Sequence, residues 1–190
     1  MTIVICPGIH EPKLTDQFLE GLSINWQNLS HSGKLLVCPT QDYTPYSTID
    51  ISKFLWSSKL IRTNTPLLFI AFSAGVVGAT GAAWTWQLGG GQVKAVIAID
   101  GWGMPVKGNF PIYKVSHDHF THWSWGIFSS GDENFYAYPS VEHLEIWRSP
   151  QTTRGWWLHQ NIMEVKTATP ATAKEFIIKI LENHEELSSI

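Results

Sequence analysis

The stretch from Pro66 to Ala79, PLLFIAFSAGVVGA, leaves few ways to fold. Its first seven residues form a short, unbroken apolar run, as expected of a parallel strand covered on both faces. The segment from Gly75 to Leu88 is rich in Gly and Ala and closes on Gly89-Gly90-Gly91, a helix stop. A strand therefore passes straight into a helix, with Ser73 on the turn between them. A serine so placed is pushed out of the sheet. It sits beside a helix N-terminus, where backbone N–H groups and the dipole can stabilise an oxyanion. Such a turn needs small neighbours, and Ala71, Ala74 and Gly75 supply them. Gly78, Ala79, Ala82 and Ala83 let the helix lie close on the sheet.

The same alternation of short apolar runs and helical spacing occupies the first hundred residues, which argues for βαβ units. Thr2 to Cys6, ended by Pro7-Gly8, is the first strand; Leu35 to Cys38 is the second. Pro66 to Phe72 and Val93 to Ile99 are the third and fourth. Helical spacing falls at Leu14 to Leu22 and at Ile49 to Leu60. Pro111 to Ser116 and Asn134 to Tyr138 read as two further strands, with an aromatic, histidine-rich loop over 117–131 between them. Residues 147–168 lack clear periodicity and stay unassigned. Thr169-Pro170 reads as the start of a terminal helix, with Thr as N-cap and Pro at N1. The apolar stripe of that helix is Phe176, Ile177, Ile180 and Leu181. The expectation is one domain over 1–190: an α/β, three-layer fold with a mostly parallel sheet of about six strands and helices on both faces.

The A-F-S-A-G turn in this context resembles the nucleophile motif G-x-S-x-G of the α/β-hydrolase superfamily, with Ala71 in place of the first Gly. The resemblance covers most of residues 1–145 and implies that Ser73 is a nucleophile. In that superfamily the acid and the histidine follow the serine in the order Ser…Asp/Glu…His. Asp118, after the second strand beyond the serine helix, takes the acid position. His143, in Pro139-Ser140-Val141-Glu142-His143-Leu144, takes the base position. Asp100, which ends VKAVIAID, is the alternative acid, and His159 is the alternative base. The resemblance also implies an oxyanion hole from the N–H of Ala74 and, in the Pro7-Gly8-Ile9-His10 loop, that of Ile9. His10 either lines the site or is a solvated loop residue. Trp102, Trp123 and Trp125 are candidate substrate walls or parts of a second hydrophobic cluster.

Composition narrows the alternatives. Charged residues are 15% of the chain, with 13 Lys plus Arg against 16 Asp plus Glu and a net charge of −3. Without a basic footprint, nucleic acid is a poor partner. The apolar runs fall far short of the 18 or so residues a membrane span needs. The N-terminus has no basic region of the signal-peptide kind. With only two cysteines, Cys6 and Cys38, the expected compartment is a reducing cytoplasm and the thiols are expected buried and free. His117, His119 and His122 with Asp118 match no familiar metal-ligand spacing, so neither a metal nor a cofactor is expected. Only ten residues separate Asp100 from Pro111, too few for a cap domain. The reading is a serine hydrolase of a small or accessible ester, thioester or amide. The competing class is a binding or scaffolding protein that kept the fold without turnover. Low charge with 10 Trp also suggests a homo-oligomer.

Overall fold

The computed structural model describes residues 1–101, 108–126, 133–160 and 166–184. Its centre is an eight-stranded sheet in the order β2-β1-β3-β4-β5-β6-β7-β8. The strands are β1 (Thr2–Cys6), β2 (Leu35–Val37), β3 (Leu67–Phe72), β4 (Val93–Ile99), β5 (Ile112–Ser116), β6 (Glu133–Ala137), β7 (Arg154–Gln160) and β8 (Lys166–Thr172). Every pairing from β2 through β6 is parallel. β7 and β8 are antiparallel additions. The helices are α1 (Pro12–Gly21), α2 (Trp26–His31), α3 (Thr48–Ser57), α4 (Ala74–Leu88), α5 (His119–Gly126), α6 (His143–Arg148) and α7 (Ala173–Asn183).

Side-chain alternation along the strands divides the core into two layers. Ile3, Ile5, Leu68, Ile70 and Phe72 face one side, where α1, α6 and α7 contribute Phe18, Trp147 and Phe176. Val4, Cys6, Leu67, Phe69 and Ala71 face the other, against Ile51 and Leu55 of α3 and Val76, Ala79 and Trp86 of α4. This is the expected three-layer α/β class. β1 and β3 are buried at every position because both their faces are covered.

Three parts of the sequence reading need correction. The sheet has eight strands rather than about six, because β7 and β8 form an antiparallel pair, β7 and the start of β8 in the stretch left unassigned and the rest of β8 where the terminal helix was expected to begin. The pair's faces are only partly covered, so its residues carry no unbroken apolar run. The 117–131 loop begins with a helix, α5, whose polar and aromatic mix lacks an apolar stripe. The terminal helix starts at Ala173, not at Pro170. Pro170 lies in β8 opposite Trp156, and β8 ends the sheet, where a residue without an N–H is tolerated. The N-cap is Thr172, locked in a capping box with Glu175.

Candidate active site

Ser73 and Asp100 stand at the same level on neighbouring strands. The register pairs Phe72 with Ile99 at the last turn of the β3–β4 ladder, so the residue following each lies about one strand spacing, ~4.8 Å, from the other. Both leave their strand through the same unusual backbone conformation, φ +52° at Ser73 and +50° at Asp100. Positive φ is uncommon for residues other than Gly and persists only where the surroundings enforce it. Here they do: the Ser73 N–H donates to the Ile99 carbonyl at 2.8 Å and the Asp100 N–H to Val115 at 2.9 Å. A Cβ on Gly75 would run into the backbone carbonyls of Cys6 and Pro7. The serine turn is therefore pressed against the end of β1, and only glycine fits after Ala74.

His143 completes the group from the far side of β5. It opens α6, after the loop 138–142 that follows β6. That loop is drawn back across the sheet edge by the Val141 N–H, which donates to the His117 carbonyl at 3.1 Å. The ring of His143 then lies between the other two residues. Its Nδ1 is 2.9 Å from Asp100 Oδ2 and its Nε2 is 3.0 Å from Ser73 Oγ. A carboxylate can only accept, so Nδ1 carries the proton and Nε2 accepts from the serine hydroxyl. Asp100 is fully buried. Its other oxygen, Oδ1, accepts from the His117 N–H at 2.8 Å.

The ring of His143 is also held by a column of aromatic rings. Phe72 stacks on it at 4.8 Å, Trp147 on Phe72 at 4.9 Å, and Phe18 on Trp147 at 3.7 Å. Phe72 and Trp147 escaped the sequence reading. The signal for Trp147 was its place four residues after His143, on the same face of any helix that starts there.

The other expected site residues are placed as follows. Asp118 does not supply the carboxylate on His143; Asp100 does. Asp118 Oδ1 instead accepts from the Thr121 N–H at 2.7 Å, as the cap of a helix start does. His159 is on β7, its Nε2 3.0 Å from Thr169 Oγ1 and its ring against Trp157 at 4.5 Å. It is part of the antiparallel extension and not of the serine group. Ala74 begins α4, and its N–H belongs to the first turn, which has no acceptor within the helix. Gly8 packs against Ser73, since a Cβ there would come within 3.0 Å of the serine Cβ. That contact brings the Pro7–His10 loop to the turn, with Ile9 72% exposed. His10 is half-buried rather than solvated, its ring 5.7 Å from Phe72 and 6.1 Å from Trp147. Burial pushes its imidazole below the ordinary value, and His143 adds to the effect.

Trp123 is on α5 beside Phe120, 57% exposed. Trp125 is on the same helix, its side chain outside the described residues, as is the whole of Trp102. Cys6 and Cys38 are free and buried. Burial, with Asp50 nearby, holds the Cys38 thiol up at about 12, and burial raises Cys6 as well. Both therefore favour the thiol form over the reactive thiolate. Asp100, His117 and His143 bring ligand-type atoms within 4.8 Å of one another, close enough for one cation. The hydrogen bonds of Asp100 and His143 already account for that approach.

No family model matches the chain. No curated protein matches it either. Among solved structures it is similar to YbtT, described as the type II thioesterase from the yersiniabactin NRPS/PKS biosynthetic pathway. The two share 12% identity over 80% of this chain and 88% of that one, with a TM-score of 0.48.

Proposed function

We propose that the chain is a serine hydrolase of the α/β-hydrolase type, with Ser73 as nucleophile, His143 as base and Asp100 as the acid that orients the base. The observation that carries this reading is the unbroken hydrogen-bonded chain from buried Asp100 through His143 to Ser73, with steps of 2.9 and 3.0 Å. The order Ser…Asp…His along the sequence agrees with it.

Ser73 Oγ attacks the carbonyl carbon of an ester, thioester or amide while its proton passes to His143 Nε2. The new imidazolium keeps its Nδ1–H on Asp100, whose charge stabilises it. The tetrahedral oxygen accepts from the N–H of Ala74 and from that of Ile9, donors fixed in place before the charge develops. His143 then returns the proton to the leaving group. Water repeats the sequence on the acyl-enzyme and frees Ser73.

Small or accessible acyl groups are the substrate class, with Trp123 as part of the wall. A fluorophosphonate probe tests the reading, because it reacts with activated serines and ignores ordinary ones. Labelling mapped to Ser73, and lost in Ser73→Ala, is the expected result. An unlabelled wild-type protein with native folding overturns it in favour of a binding protein on the same fold.

A further inference from the structure

Asp100 Oδ2 receives a second imidazole. His117 Nδ1 lies 2.8 Å from the oxygen that His143 Nδ1 meets at 2.9 Å. The first approach lacks the alignment of a directed hydrogen bond. The two rings meet edge to face at 5.9 Å. His117 touches the same group through its main chain twice, giving its N–H to Asp100 Oδ1 and taking the Val141 N–H from the loop that carries His143. Any residue but proline at 117 could make the two main-chain bonds. The ring contact is what the histidine adds.

We propose that His117 is a positioning residue of this site: its imidazole shares the Asp100 carboxylate with His143 and weakens that carboxylate's hold on the His143 imidazolium. The inference rests on the hydrolase reading above. The groups facing the His117 ring are Asp100 at the end of β4, Asp118 next to His117 on the β5–α5 connection, Glu142 before α6, and His143. Three are carboxylates that favour a positive ring. The contact with Asp100 raises the His117 imidazole above its ordinary value, against burial, which lowers it.

The sign of the coupling follows. A charged His117 neutralises part of Asp100 and stands near His143, and both effects disfavour protonation of His143. Serine reactivity, which needs neutral His143, is thereby extended to lower pH. Removing the charge at 117 should move the acid limb of reactivity to higher pH.

The experiment measures the rate of fluorophosphonate labelling against pH in wild type, His117→Phe and His117→Gln. The glutamine variant keeps a neutral polar group should phenylalanine disturb folding. In parallel, long-range ¹H–¹⁵N NMR follows the His143 imidazole titration in the same proteins. Both variants should raise the midpoint of the acid limb, and that of His143, by about one unit, the low end for a charge at this range. A His143 midpoint equal to wild type in a folded variant overturns the proposal. A wild-type protein that takes no label overturns the hydrolase reading instead, and the NMR result still judges the coupling.

Discussion

The parallel strands β1–β6 and the antiparallel pair β7–β8 belong to one sheet, yet it is the first region that brings Ser73, Asp100 and His143 together. In a parallel array all the strands end at the same edge, so the residues after β3, β4, β5 and β6 converge there. Ser73, Asp100, His117 and the His143 loop are those residues. β7 runs the opposite way, and its histidine, His159, pairs across the ladder with Thr167 and reaches Thr169. A histidine's usefulness here depends on strand direction before it depends on its ring. The extension instead covers the core: Trp157 meets Phe176 of α7 at 5.4 Å, edge to face, and α7 closes that layer.

This contrast can be broken or sharpened by substitution. Ser73→Ala should give the largest effect, a loss of up to about 10⁶ in turnover of a reactive ester, with an unchanged circular dichroism spectrum. Appreciable turnover in that variant would place the chemistry elsewhere.

Asp100→Asn comes next, at about 10⁴ in kcat, since an amide leaves the imidazole in the wrong tautomer. Asp118→Asn, by contrast, alters a helix start and a carboxylate 3.9 Å from His117, not the one on His143, and should cost less than about 1 kcal/mol of stability. Paired kinetics of the two variants decide between these carboxylates. A collapse of kcat in Asp118→Asn with Asp100→Asn active reverses the assignment.

Trp147→Ala probes the join between packing and site. Removing a buried indole should destabilise the fold by about 3–5 kcal/mol and free the ring of Phe72 beneath His143. Denaturant unfolding gives the first number. The labelling rate of the folded fraction should fall too; an undiminished rate would reduce the aromatic column to core packing alone.

The smallest effects belong to the extension. Thr172→Ala removes a cap and should cost about 1 kcal/mol, while His159→Ala should leave labelling of Ser73 within about twofold of wild type, since His159 packs on Trp157 away from the serine group. A large loss in His159→Ala would draw β7 into the site and erase the contrast drawn here.

Much of the first region was legible in the amino-acid sequence because burial on both faces leaves an unmistakable apolar run. The strand, turn and helix around Ser73 are of this kind; the strand and loop leading to the helix that starts at His143 were legible from their order along the chain, with β6 only partly buried. The extension was not legible. In β7, Trp156 to His159 are all only partly buried, and Thr167 to Pro170 in β8 are exposed, so neither strand carries a strong periodic signal. Pro170 pointed to a helix start because proline favours the first helical turn; at the edge of a sheet the missing N–H is harmless too, and local sequence does not distinguish the two.

The choice of acid shows where local information ends. Counting strands puts Asp118 beside His143, on the premise that a histidine stays over its own strand. The loop from β6 instead crosses the end of β5, held by Val141 on His117, and sets His143 above β3 and β4. By itself the sequence determined which segments would be the parallel strands, that Ser73 would stand on a tight strand-to-helix turn, and that an aspartate and a histidine able to partner it would follow in the chain. Only the tertiary structure decided which carboxylate meets His143. A side chain's partner depends on the path of a loop across the sheet edge, and that path is set by hydrogen bonds between residues far apart in the chain.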